Sequence, residues 1–232
     1  MFSEETKQGL LRHQPRLSLV DMLGSSEAIG MGRSITNASD SVSTARFRLG
    51  PNTRVIDEGG NDVAPGSGQP GRLALGGRVP VGYYKDEAKT AATFPTIDGR
   101  RYSVPGDWAV VEADGTLTLL GRGSVCINTG GEKVYPEEVE EVLKTHPTVA
   151  DAVVVGVPDE RFGQAVVALV EPQAGRDAVD EAELIGHVKA RLAGYKVPKR
   201  VLTVDTVGRS PTGKVDYPRL TRLAKTELGI TD

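Results

Sequence analysis

The segment VGRSPTGKVDY, residues 207–217, places a lysine directly after a glycine in a Ser/Pro/Thr-rich stretch. Lys214 is a compact charge on a flexible stem. A cation held in such a loop can reach a phosphate or a developing oxyanion and stabilise charge that exists only in a transition state. Gly208-x-x-x-x-Gly213-Lys214 also nearly matches a P-loop. Val215 stands where that loop needs a Mg²⁺-binding hydroxyl, however, and Pro211 removes a cradling N–H. Three further segments carry candidate chemistry. In GRGSVCINTGGEKVYPEEVEE, residues 121–141, Arg122 offers a planar fork for hydroxyls or phosphates. Gly130-Gly131 lets a ligand approach the backbone, and Lys133 can neutralise a phosphate. Asp107 follows Pro105-Gly106, so its carboxylate would project from a tight turn and accept two hydrogen bonds from ribose hydroxyls. Glu27 sits among small hydroxyl residues in LGSSEAIG, residues 23–30, and suits Mg²⁺, which takes oxygen ligands and few carboxylates. Taken singly, each has a plain structural alternative: an exposed turn lysine, a glycine turn before a helix with a solvated acidic face, a turn aspartate, a loop glutamate.

The elements that must position these residues fall into two textures. Residues 3–14 predict a helix capped by Ser3, and Leu17 to Met22 a short strand running into the Gly/Ser loop. From about Thr44 to Leu120 short turn-bounded runs predict β structure. Turn signals stand at Glu58-Gly59-Gly60-Asn61, Asp98-Gly99 and Asp114-Gly115, the last a hairpin cue. Beyond Gly121 the pattern is mixed. A helix starts at Pro136 with Glu137 and Glu138 in its first turn. Strands are predicted over 149–157, 165–170 and 201–207, and helices over 180–193 and from Tyr217 onward. The fold class is α+β: a partial N-terminal domain ending in a small β-barrel-like subdomain, then a compact α+β C-terminal domain. The expected divisions are a remnant of a larger domain over 1–43, a β-rich subdomain over 44–122 and a mobile domain over 123–232.

Composition excludes several classes. The 232 residues carry a net charge of −3, with 38% hydrophobic and 25% charged residues, ordinary for a globular protein. No basic footprint suggests nucleic acid. No apolar run approaches the roughly 20 residues of a membrane-spanning helix, and the polar start MFSEETKQGLLRHQ is not a secretory signal. The single cysteine, Cys126, lies in an apolar run and reads as a buried structural thiol, which fits a reducing cytosol. The three histidines show no metal spacing.

In order and spacing, these segments resemble the signatures of the adenylate-forming superfamily of acyl-CoA synthetases, luciferases and peptide-synthetase adenylation domains. LGSSEAIG resembles its Tyr-Gly-x-Thr-Glu loop, and GRLALGGRVPVGYYKDEAKT at 71–90 its Gly-Glu-Leu…Gly-Tyr…Thr segment. YSVPGD resembles its Tyr-x-Thr-Gly-Asp, GRGSVCINTGGEKVYPEEVE its hinge segment, and SPTGKV its closing lysine motif. The resemblance covers nearly the whole chain.

It implies a two-step ligase. ATP and a carboxylic acid give an acyl-adenylate, the C-terminal domain rotates, and CoA takes the acyl group. Lys214 would bridge the carboxylate and the α-phosphate. The nucleotide-binding set would be Gly24, Ser25, Ser26, Asp107 and Arg122, with Asp107 on the ribose. Glu27 would coordinate Mg²⁺, Ser124 would be the hinge, and Gly130, Gly131, Glu132 and Lys133 would line the CoA path. Ser124 replaces the usual Asp or Lys, Asn128 a frequent Lys, Leu23 an aromatic residue and Ser26 a Thr. These departures are similar to those of actinobacterial fatty-acyl or steroid-side-chain CoA ligases. The family's Ser/Thr/Gly-rich phosphate loop has no counterpart here. The resemblance therefore implies a C-terminal fragment of a cytoplasmic ligase, inactive alone, and allows a homodimer. The alternatives are a non-catalytic association module and an adenylation domain serving a carrier protein.

Overall fold

Alternation of apolar and polar residues folds the first half of the chain into a sheet with one buried face. The computed structural model describes residues 4–40 and 46–230. It divides into two units, Met1–Arg122 and Gly123–Asp232. In the first, helix α1 (Glu4–His13) precedes β1 (Leu19–Leu23), β2 (Gly32–Thr36), β3 (Arg46–Leu49), β4 (Thr53–Ile56) and β5 (Pro70–Leu75). Then follow α2 (Glu87–Thr93), the small hairpin β6 (Thr96–Ile97) and β7 (Arg100–Arg101), and the longer hairpin β8 (Asp107–Val111) and β9 (Thr116–Arg122). The strand order β1-β2-β3-β9-β8-β5-β4 is antiparallel throughout. Met31, Phe47, Leu73, Ala109 and Leu117 form the centre of its buried face.

The α+β class holds, but the expected barrel does not close. β1 and β4 remain as edges among the described residues. Alternation fixes which face a residue joins, whereas closure depends on the pairing of the two end strands, which alternation does not encode. The division expected at residues 43/44 and the Ser3 cap lie outside the described residues. On either side of that division β2 pairs with β3, so the sheet reaches back to Leu19. The β-textured region also contains α2, whose start is set by Asp86, its side chain accepting from the Lys89 N–H at 2.9 Å. Asp98 and Gly99 join β6 to β7 with φ of 51° and 71°, the backbone of a type I′ turn.

The second unit is built around long strands. Its elements are β10 (Ile127–Thr129), β11 (Glu132–Val134), α3 (Pro136–Lys144), β12 (Val149–Asp159) and β13 (Gly163–Pro172), then α4 (Glu181–Lys189), β14 (Arg200–Thr203) and α5 (Tyr217–Glu227). β12 and β13 pair antiparallel, and β14 adds parallel to β13. Both faces of this sheet are covered, which is why β12 and β13 read as near-continuous apolar runs. Val154 and Ala168 face Val139 and Leu143 of α3 and Leu184 of α4. Val155, Val167 and Leu169 face Leu220 and Ala224 of α5. Two predicted elements are shorter than expected: the strand at 201–207 ends at Thr203 and the helix at 180–193 ends at Lys189.

Candidate functional site

The first unit brings four polar side chains together. β8 and β9 pair so that Asp107 lies opposite Arg122 in register. Arg122 Nε stands 3.4 Å from Asp107 Oδ1. Gly106, at φ +100°, turns the chain into β8. Asp107 does not project as the sequence suggested: only 8% of it is exposed, because it begins β8, an interior strand of the sheet. Burial pushes its carboxyl up, and the Arg122 guanidinium opposes this. Glu27 adds a further upward push on Asp107, and Arg122 also acts on Glu27, so the Gly/Ser loop borders the pair.

That loop is a tight turn. Ser25 N–H donates to Ala28 O at 2.9 Å, Ala28 N–H returns to Ser25 O at 3.2 Å, and Ser25 Oγ accepts from Glu27 N–H at 3.2 Å. Gly24 is needed there, since a Cβ would lie 3.0 Å from Ala28 O and 3.2 Å from Gly30 N. Ser26 is exposed at the turn's tip. Glu27 Oε1 accepts from the Tyr83 hydroxyl at 2.7 Å. This bond holds the Glu27 carboxyl below the usual range against a smaller upward push from burial. Among the described residues no three His, Cys, Asp or Glu side chains gather as a metal cage. One ionised carboxylate beside two serine hydroxyls fits an ion held mainly by phosphate oxygens, the usual manner for Mg²⁺.

Tyr83 is the residue sequence reasoning missed. It lies in the GYYKDEAKT stretch, and its place is fixed through α2. Its N–H donates to Thr90 Oγ1 at 2.8 Å, Thr90 donates in turn to Asp86 O at 2.7 Å, and Lys89 Nζ stands 4.2 Å from its ring centroid. A tyrosine seven residues before a helical threonine was the available signal.

In the second unit the lysine segment is a closed loop between β14 and α5. Ser210 N–H donates to Lys214 O at 2.9 Å, Lys214 N–H to Ser210 Oγ at 3.0 Å, and Gly213 N–H to Ser210 O at 2.7 Å. Lys214 is exposed. The near-match to a P-loop has a local cause. Gly208 has φ +66°, and a Cβ there would lie 2.6 Å from Arg219 Nη2, which donates to Val207 O. Gly130 and Gly131 connect β10 to β11 with φ of 59° and 87°, again a type I′ turn. A Cβ on Gly130 would meet Phe162 at 3.1 Å, whereas Gly131 faces open space. Glu132 and Lys133 are exposed on β11. Ser124 is exposed in the short 3₁₀ turn Gly123–Val125. Cys126 follows that turn outside any strand and is half-buried rather than enclosed, with burial raising its thiol.

Residues 138–214 match the AMP-binding enzyme C-terminal domain. Over 218 residues the chain is 55% identical to the medium/long-chain-fatty-acid–CoA/3-oxocholest-4-en-26-oate–CoA ligase of Mycobacterium marinum, covering 94% of this chain and 40% of that protein. The 3-oxocholest-4-en-26-oate–CoA ligase of Rhodococcus rhodochrous is 50% identical over 231 residues, covering 99% of this chain and 41% of that protein. Among solved structures, the amide bond synthetase McbA of Marinactinospora thermotolerans matches with a TM-score of 0.80 at 27% identity, over 96% of this chain and 44% of its own. ATP-bound MatB from Rhodopseudomonas palustris matches with a TM-score of 0.74 at 29% identity, over 89% and 41%. The chain spans about 40% of the length of the curated relatives it matches. No helix among the described residues is long and apolar enough to cross a membrane.

Proposed function

Because the chain belongs to the adenylate-forming superfamily, we propose that it supplies the C-terminal part of an ATP-dependent ligase that joins a fatty or steroid side-chain carboxylic acid to CoA. The observation that carries this reading is the identity to two acyl-CoA ligases over at least 94% of the chain.

In the first step a carboxylate oxygen attacks the α-phosphorus of ATP, and the bond to the β-phosphate bridging oxygen breaks, releasing pyrophosphate. Lys214 contributes its ammonium where negative charge accumulates between the carboxylate and the α-phosphate, so its effect is on the transition state. Asp107 accepts from the ribose hydroxyls. Its exposed partner Arg122 is free to turn from a 3.4 Å contact toward ribose or phosphate oxygens. Gly24, Ser25 and Ser26 present small residues and hydroxyls beside the α-phosphate. Mg²⁺ bound with the nucleotide would neutralise phosphate charge, with Glu27 as its protein carboxylate. In the second step the CoA thiol gives its proton to solvent, its sulfur attacks the acyl carbonyl, and the acyl carbon–oxygen bond to the phosphate breaks, releasing AMP. Gly131, with open space above it, sits on the pantetheine path, Glu132 and Lys133 flank it, and Ser124 is the pivot of the rotation between steps. The half-exposed thiol of Cys126 and the use of ATP and CoA suit the cytosol.

The test is ATP–pyrophosphate exchange by the full-length ligase with fatty and steroid carboxylates. Lys214→Ala is expected to abolish it, and unchanged exchange overturns the role of Lys214. The 232 residues alone are expected to give no carboxylate-dependent AMP. Turnover by them that depends on Lys214 would refute that expectation.

A further inference from the structure

Lys214 sits on a loop, and a catalytic cation on a loop is useful only if the loop is held. The loop hangs from β12 and β13 by two carboxylates that face each other. Asp151 and Glu171 are cross-strand partners in register. Glu171 Oε2 accepts from Val207 N–H at 3.1 Å. Asp151 grips Arg209 through two bonds, Nε to Oδ2 at 2.6 Å and Nη2 to Oδ1 at 3.0 Å. The third nitrogen of the same guanidinium, Nη1, points to Gly213 O at 3.4 Å, on the residue immediately before Lys214. One side chain thus ties both the start of the closed turn and the residue preceding the lysine to a buried strand. Asp151 also accepts from its neighbour's Ala152 N–H at 2.8 Å, which fixes its carboxylate plane.

We infer that Arg209 is a positioning residue for Lys214, acting through a bidentate clamp on Asp151 and a contact to the Gly213 carbonyl. This rests on the proposed role of Lys214 in adenylation and names the device that holds it in place. The chemistry requires arginine. A planar fork can satisfy two carboxylate oxygens and still present a third nitrogen, whereas lysine offers a point charge. The charge is also needed locally, because two carboxylates directly opposite across a ladder repel when neither is paired. Burial pushes Asp151 up, but the Arg209 guanidinium, with Ala152 N–H and Lys144, outweighs it and keeps the carboxyl below its usual range. The far side of the loop is pinned independently. Asp216 caps α5 through Arg219 N–H at 3.0 Å, and Tyr217 donates to the buried Glu140 at 3.3 Å. Loss of the clamp should therefore displace the lysine and leave α5 in place.

The experiment separates the two half-reactions in the full-length ligase. ATP–pyrophosphate exchange with dodecanoate reports adenylation. CoA thioester formation from supplied dodecanoyl-adenylate reports the second step, for which Lys214 is not invoked. Arg209→Gln and Asp151→Asn are each expected to lower kcat for exchange by about 100-fold, the typical loss for a misplacement of about 1 Å, with KM for ATP little changed. Thioester formation from the supplied adenylate should be unaffected. The double variant should be no worse than either single one, and Arg209→Lys should recover part of the loss. Equal loss in both half-reactions, additive losses, or unchanged exchange in both single variants each overturns the inference. Lys214→Ala is run alongside. If it leaves exchange intact, the reading of Lys214 falls; if it abolishes exchange while Arg209→Gln does not, the positioning inference falls alone.

Discussion

Tyr83→Phe removes one hydroxyl and leaves the ring, so it breaks the bond to Glu27 together with the same hydroxyl's weaker contact with Thr93. The bond to Glu27 is 2.7 Å long and ends on a carboxylate. A hydrogen bond to a charged group contributes about 1.5–3 kcal/mol when shielded from water. Here both partners are half-buried, so water replaces part of the interaction and about 1 kcal/mol remains. The Tyr83 hydroxyl is also the foremost cause of the lowered Glu27 carboxyl, so the variant should raise Glu27's titration midpoint. A carboxyl held lower in the folded than in the unfolded state stabilises the fold above its unfolded value. It loses that contribution as pH falls through the folded value. The stability difference between parent and Tyr83→Phe should therefore be complete at pH 7 and shrink once pH drops below about 4.5, the ordinary glutamate value. Urea unfolding at a series of pH values measures the first quantity, and carboxyl-carbon NMR titration of Glu27 measures the second. The ring's own contacts, to Phe94 at 5.6 Å and to Lys89, are unchanged by the substitution. A Glu27 midpoint that stays put, or a stability loss of equal size at pH 4 and pH 7, refutes the reasoning.

Glu140 is 3% exposed, and burial pushes its carboxyl up, against Lys144 and the Val154 N–H bond at 2.9 Å. A raised carboxyl contributes stability below its unfolded value and loses it as pH rises, so Glu140→Gln, which keeps an acceptor for Val154 and Tyr217, should gain about 1 kcal/mol at pH 7 and nothing at pH 4, measured by urea unfolding. The two turn glycines should separate by their surroundings. Both Gly→Ala changes meet positive φ, costing about 1–2 kcal/mol, but Gly130→Ala also presses on Phe162 at 3.1 Å and should lower the urea midpoint further. Gly131→Ala should instead raise the KM for CoA while leaving ATP–pyrophosphate exchange intact.

What the sequence showed of the fold was what depends on local chemistry. Pro136 with two glutamates behind it marked α3, and Asp114-Gly115 marked the β8–β9 hairpin, because caps and turns are set by neighbouring residues. The burial of Val149–Val157 was readable from an apolar run, and its coverage on both faces explains why no alternation broke it. The open edge of the first sheet was not readable, since it depends on which strands pair at its two ends. α2 was hidden because seven residues inside a β-textured stretch carry too little periodicity to compete. The candidate site divides in the same way. Asp107, Arg122, Glu27 and Lys214 could be singled out as candidates because small turn residues surround them. Tyr83 and Asp151 were not, because each acts on a residue more than 50 positions away, and a partner at that separation leaves no trace in spacing.

Two of the chain's arginine–aspartate pairs, one in each unit, show how distance sorts function from support. Arg209 holds Asp151 at 2.6 and 3.0 Å with two nitrogens, and its side chain is only 30% exposed. Arg122 meets Asp107 at 3.4 Å through one nitrogen with 56% of its side chain in solvent. The first geometry is a saturated clamp, and breaking it would strand a half-buried carboxylate. The second leaves most of the guanidinium's donors unused and the Asp107 oxygens accepting one long bond. Burial has already raised the Asp107 carboxyl, so partners that donate hydrogen bonds to it gain more than they would from a solvated aspartate. Vicinal hydroxyls supply two such donors. A loose pair at the open end of a hairpin, with its carboxylate under-satisfied and its cation free to swing, is the arrangement that a ribose and its phosphate can displace. A tight pair beneath a loop is the arrangement that keeps a lysine where it is needed.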